Sequence, residues 1–146
     1  MSRVENHPVT CLICDIVAQR EPSSVVAETD TILAICDLYP VNPGHVLVLT
    51  KSHAQGLEDV DPAAGAEMFT VAQRIAKAIR RTDLRCEGID LFLADGEAAL
   101  QEVFHIHLHV IPRYRGDNFR LDSGQPTTPV ARVELDRIAD AIRDAL

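Results

Sequence analysis

Between Val103 and Arg113 the sequence V-F-H-I-H-L-H-V-I-P-R sets His105, His107 and His109 at strict period two. Side chains alternate faces along a β-strand. A strand here therefore aims three imidazoles in one direction and Phe104, Ile106, Leu108 and Val110 into a core on the other. Imidazole serves as nucleophile, proton carrier or metal ligand near neutral pH, so one face of this strand is core and the other is chemistry. A second group, Cys11-x-x-Cys14, has the spacing of a zinc pair or a redox dithiol. The redox reading expects a strand before the motif in a βαβ unit, and none precedes Cys11. Zinc fits better: a closed tetrahedral site takes two more nitrogen or sulfur ligands from distant positions, and the histidines are the supply. Two ordinary thiols are the alternative.

The other candidates divide. Cys36 and Cys86 lie in apolar settings and read as small core residues. His45 opens a strand after Pro43-Gly44, where glycine lets the backbone turn close to a ligand. His53, taken alone, reads as a solvated loop residue, and His7 as an inert tail residue. The loop Ala94 to Glu102 runs straight into the histidine strand, and loops so placed present backbone amides and a side-chain amide such as Gln101 to a ligand.

The elements that must hold these groups follow from turn signals and periodicity. A short helix is expected over Cys14 to Arg20, ended by Glu21-Pro22. Val25 to Glu28 and Thr31 to Asp37 form a hairpin, and His45 to Thr50 is the next strand. Asp61 is the N-cap and Pro62 the first residue of a long helix whose apolar stripe is Met68, Ala72, Ile75 and Ile79. Ile89 to Ala94 and Val103 to Ile111 complete about five strands. The segment 122–130, with D-S-G-Q-P-T-T-P at its start, is a linker to an amphipathic helix over 131–145, whose Leu135, Ile138 and Ile142 pack on the body or on a partner subunit. The expectation is one domain spanning 1–146 with its core in 11–120, of α+β class, with a mainly antiparallel sheet.

The net charge of −8 over 146 residues argues against a polymeric nucleic-acid partner, which binds through many Lys and Arg contacts to phosphate. It leaves room for a small anion held by histidines and backbone amides. The first ten residues contain no apolar run of the signal-peptide type, and no stretch has the length of a membrane span. The expectation is a cytoplasmic protein with no membrane partner.

The run His105-Ile106-His107-Leu108-His109-Val110 resembles the signature of the histidine triad (HIT) family. The resemblance extends through Cys11-Leu12-Ile13-Cys14, Asp37-Leu38-Tyr39-Pro40, Pro43-Gly44-His45, Lys51-Ser52-His53 and Gln101, in the family's order and spacing. It implies a five-stranded antiparallel sheet, a homodimer, and cleavage or transfer of purine nucleotides at the α-phosphate. It makes His107 the nucleophile, gives His109 to the α-phosphate and has His45 back the nucleophile. It places Asp37 on the ribose, with Gln101 and Glu102 on the phosphate and leaving-group side. From zinc-containing relatives it implies that Cys11, Cys14, His53 and His105 hold one structural zinc per chain, with no catalytic cofactor. The chain departs from the family pattern at Ala94, Leu100 and Glu102, all on the leaving-group side. Dinucleoside polyphosphates and nucleoside phosphoramidates are the implied substrates of a hydrolase. The alternatives are a nucleotidyltransferase, a nucleotide-binding regulatory protein with vestigial turnover, and a metalloenzyme with its metal on His105, His107 and His109.

Overall fold

The computed structural model describes residues 10–120 and 127–146. Its elements are α1 (Leu12–Val17), β1 (Val25–Glu28), β2 (Ile32–Cys36), β3 (Val46–Thr50), α2 (Pro62–Ile79), β4 (Gly88–Leu93), β5 (His107–Arg113) and α3 (Arg132–Ala145). The five strands make one sheet in the order β1-β2-β3-β5-β4, and every neighbouring pair is antiparallel. The expected α+β fold is therefore the observed one. His7 and much of the expected linker lie outside the described residues.

Alternation along the strands gives the sheet two different faces. On one face Ile32, Ala34, Val46, Val48 and Val110 bury against Met68, Val71, Ala72, Ile75 and Ile79 of α2. Helix α2 begins as its sequence requires: the Asp61 carboxylate accepts from the Ala64 N–H and Pro62 stands where an amide would go unpaired. Each large apolar side chain removed from water on this face contributes about 1.5–3 kcal/mol before its entropy cost. The stripe is thus consumed by the protein's own sheet. On the other face Leu33, Ile35 and Leu49 pack with Ile13 of α1, and this face carries His107 and His109.

Three expectations need correction. Strand β5 starts at His107, not Val103, so His105 precedes the ladder and Phe104 is exposed instead of filling a core. Cys36 is exposed at the last position of β2, on the face of Ile32 and Ala34 that packs against α2 but outside that packed cluster. Helix α3 forms as expected, but Leu135, Ile138 and Ile142 are all exposed and no residue of it is buried, so of the two expected packings the one on the body is not made.

Candidate functional site

Pairing to β3 and β4 fixes the two histidines of β5. His107 lies opposite Leu49, and His109 lies between Leu47 on one side and Phe92 on the other. The rings of His107 and His109 are 4.9 Å apart, and Phe92 packs against His109 at 5.7 Å. His107 Nδ1–H donates to the His105 carbonyl at 2.7 Å. That bond puts the proton on Nδ1 and leaves the Nε2 lone pair free, as a nitrogen nucleophile requires.

His45 is buried in the turn before β3 and backs His109, not His107: its Nε2 lies 2.8 Å from His109 Nδ1. The direct partner of His45 is thus His109, whose ring packs on that of His107. The Val41 N–H donates to His45 Nδ1 at 3.1 Å, so the His45 proton resides on Nε2. His45 then donates to His109 Nδ1, and His109 must carry its own proton on Nε2. The relay turns His109 into a neutral hydrogen-bond donor. Burial, then the neighbouring His107 and His45, push the His109 pKa down to about 4. Burial also lowers that of His45, against the opposing charge of Asp37.

Asp37 is half-buried: one carboxylate oxygen accepts the Tyr39 N–H at 2.9 Å and the other lies 3.4 Å from His45 Nε2. Asp37, His45 and His109 are close enough to hold a cation. Their protons argue against one, since ligation through His45 Nε2 would turn an Nδ1–H into the Val41 N–H. The turn itself is pinned from below. Asn42 donates to the Pro112 carbonyl and to Asp117, and Asp117 is paired with Arg113. Those contacts, the Arg113 hydrogen bond first, hold the Asp117 carboxyl well below the usual carboxylate range. Gly44 completes the turn at φ +95°, where a Cβ would stand 2.9 Å from Leu84 Cδ1.

Gln101 is buried, and its amide is committed to the chain. It accepts from the Gly96 N–H and donates to the carbonyls of Gln55 and Val103. These three bonds make Gln101 a clamp on the 96–101 loop. Glu102 is exposed beside it, and Ala94 is buried at the end of β4.

His105 turns away from the other two histidines into a separate cluster. Its Nδ1 is 3.5 Å from the sulfurs of both Cys11 and Cys14, and Cys14 Sγ is 3.4 Å from His53 Nδ1. A zinc tetrahedron with Zn–S about 2.3 Å and Zn–N about 2.0–2.1 Å has sulfur-to-nitrogen edges of about 3.5 Å. The cluster's edges match that shape. His105 Nε2–H donates to the Thr50 carbonyl at 2.7 Å, which keeps Nδ1 available and the ring oriented, as zinc-binding histidines are held. All four donors come from the residues the sequence indicates. The alternative of a metal shared by His105, His107 and His109 fails, because His105 points elsewhere.

Sequence reasoning missed Val41, Asn42, Thr50 and Phe92. Phe92 was legible: alternation on β4 sets it opposite in face to Ile89, Leu91 and Leu93. Val41 and Thr50 act through main-chain atoms, which residue type does not report. Asn42 stands just before Pro43-Gly44, a position where a side-chain amide often closes a turn.

The HIT domain model matches residues 18–116. An uncharacterised HIT-like protein of Mycobacterium tuberculosis is 40% identical over 138 residues, covering 93% of this chain and 92% of its own. An adenosine 5′-monophosphoramidase of Schizosaccharomyces pombe is 29% identical over 134 residues, 92% of this chain and 96% of its own. The crystal structure of a Zn-bound histidine triad family protein from Mycobacterium smegmatis has a TM-score of 0.73 at 37% identity, covering 90% of this chain and 97% of that one. Similarity at this length, on a chain whose histidines divide between a nucleophile-like pair and a zinc-shaped cluster, means that the chain belongs to the histidine triad (HIT) family.

Proposed function

We propose that this protein hydrolyses purine nucleotide conjugates at the α-phosphate through a nucleotidyl-histidine intermediate. The observation that carries the reading is the proton arrangement: His107 Nε2 has its lone pair free while the neighbouring His109 Nε2 carries a hydrogen. His107 Nε2 forms a bond to the α-phosphorus as the bond from phosphorus to the leaving group breaks. His109 donates a hydrogen bond to the α-phosphate and supports the charge developing on its oxygens. Water then cleaves the nitrogen–phosphorus bond and releases the nucleoside monophosphate. Asp37 holds the ribose, and Gln101 shapes the loop whose amides face the phosphates. The relation to the S. pombe phosphoramidase supports a nucleoside phosphoramidate as substrate.

One zinc per chain, held by Cys11, Cys14, His53 and His105, would supply a structural crosslink between the start of the chain and the catalytic strand. The protein acts as a homodimer. The free edge of β4 and the exposed Phe69 and Leu91 supply surface for the contact. The apolar stripe of α2 is buried within the protomer and is not available for that contact.

The deciding experiment is a screen of nucleotide conjugates with intact-mass detection of the enzyme. A nucleotidyl adduct and release of the monophosphate are expected, and binding with neither would leave only a nucleotide-binding protein. Within this reading, the exposed Glu102 carboxylate repels an extended polyphosphate and tolerates a neutral or amine leaving group, so compact conjugates are preferred. Replacing Glu102 with Ser should move the ratio of kcat/KM for a dinucleoside tetraphosphate over a phosphoramidate upward by more than about twofold. An unchanged ratio means that Glu102 does not face the leaving group.

A further inference from the structure

One peptide group links the cluster of thiols and imidazoles to the ring read above as the nucleophile. His105 is fully buried, its Nδ1 turned to Cys11 and Cys14 and its Nε2–H donating to Thr50. The carbonyl of the same residue accepts the His107 Nδ1–H. The next amide, Ile106 N–H, donates to the Ala54 carbonyl at 2.7 Å, and Ala54 directly follows His53. The peptide from 105 to 106 is therefore suspended between the two histidines of the cluster. Ladder pairing of β5 with β3 begins only at His107, so the sheet does not by itself aim the His105 carbonyl.

We propose that the Cys11, Cys14, His53 and His105 cluster, when it holds its metal, sets the tautomer of His107 through the His105 carbonyl. His105 is thereby a positioning residue for the attacking nitrogen as well as a ligand, an inference that rests on His107 being the nucleophile. An unconstrained imidazole in water favours the proton on Nε2, which would occupy the attacking lone pair. The His105 carbonyl reverses that preference only while it stays in line with Nδ1. Ligation of the His105 ring, together with the Thr50 bond, fixes both ends of the side chain and with them the tilt of the peptide. Without ligation one end is released, and weakening a single neutral hydrogen bond changes the tautomer ratio by about two- to tenfold.

The test compares the zinc-loaded and chelated full-length protein, labelled with 15N, by long-range 15N–1H correlation of the His107 ring at about pH 8.5, above the ordinary imidazole range. The loaded protein should show Nδ1–H as the dominant form. Chelation should lower the ratio of Nδ1–H to Nε2–H by about two- to tenfold, with kcat falling in step with the competent fraction and KM unchanged. A folded metal-free protein that keeps the loaded ratio overturns the proposal. Should chelation unfold the chain, His53→Asn removes the exposed ligand, keeps His105 and both thiols, and is read in the same way. Unfolding in that variant too overturns the proposal, since the metal would then have no effect on the ring separable from the fold. Intact-mass detection of a nucleotidyl adduct on the loaded protein is scored separately. Its absence defeats the hydrolase reading, whereas the ring's tautomer answers for the coupling alone.

Discussion

At the scale of single residues, the triad resolves into three different tasks set by three different environments. His107 keeps a free Nε2, His109 donates, and His105 is oriented toward thiols. If the proposed reaction is the one used, His107→Asn should abolish turnover while leaving nucleotide affinity within about tenfold, because in that reaction it removes the attacking nitrogen and few ground-state contacts. Retention of a large part of the wild-type kcat would place the nucleophile elsewhere. The depressed His109 pKa also makes a stability prediction. In the unfolded chain this imidazole takes up its proton near pH 6.5, in the folded one only near 4. Between those values the unfolded state binds more protons, so the stability due to this group is present above about pH 6.5 and is lost as pH falls toward 4. Urea midpoints measured from pH 7.5 down to 4.5 should fall less steeply for His109→Gln than for the wild type; parallel curves would show that burial does not hold this ring neutral.

At the scale of elements, the site is built where segments that the sheet does not regulate meet strands that it does. Strand β5 supplies two rings in fixed register, whereas the turn from Asp37 to His45 and the segment before His107 supply main-chain groups that choose their protons. The N-terminal helix α1 is held to the same region through Cys11 and Cys14. Metal analysis of the purified protein should therefore find about one zinc per chain. Cys14→Ser should lose the metal and several kcal/mol of stability, on the order of 2 or more, measured by chemical denaturation. Zinc-free protein of equal stability would show that the four donors do not act together.

At the scale of the whole molecule, one sheet separates two jobs. The face under α2 is a closed apolar core, and the opposite face, only partly covered by α1, is left for chemistry. The exposed apolar surface includes Phe69, Leu91 and the stripe of α3, and β4 is an edge strand of the sheet. An isolated helix of this length is marginal in water, and an open strand edge invites pairing. Sedimentation at micromolar concentration should report a dimer, and Leu91→Arg should shift it toward monomer by raising Kd more than about tenfold. A wild-type monomer under those conditions would refute the expectation.

That His53 and His105 complete the four donors is implied by the family resemblance alone; the sequence by itself determined the strands, the long helix with its Asp61 cap and Pro62 start, and the Cys11-x-x-Cys14 pair. These are properties of local periodicity, capping chemistry and spacing, which residue type carries directly. Period two also marked His107 and His109 as neighbours on one face. Alternation alone groups His105 with them; the tertiary structure separates it, because β5 begins at His107, four residues later than the expected Val103, and the preceding carbonyl turns to bind His107. Likewise, Gln101 was visible as a polar residue beside the site, but its partners Gly96, Gln55 and Val103 are brought together by folding. The pairing of His45 with His109, and the Val41 amide that fixes their protons, involve groups from two strands and a turn. A hydrogen bond depends on where two atoms stand relative to each other, and for residues far apart in the chain, or for main-chain atoms that every residue has, that relation exists only once the chain has folded.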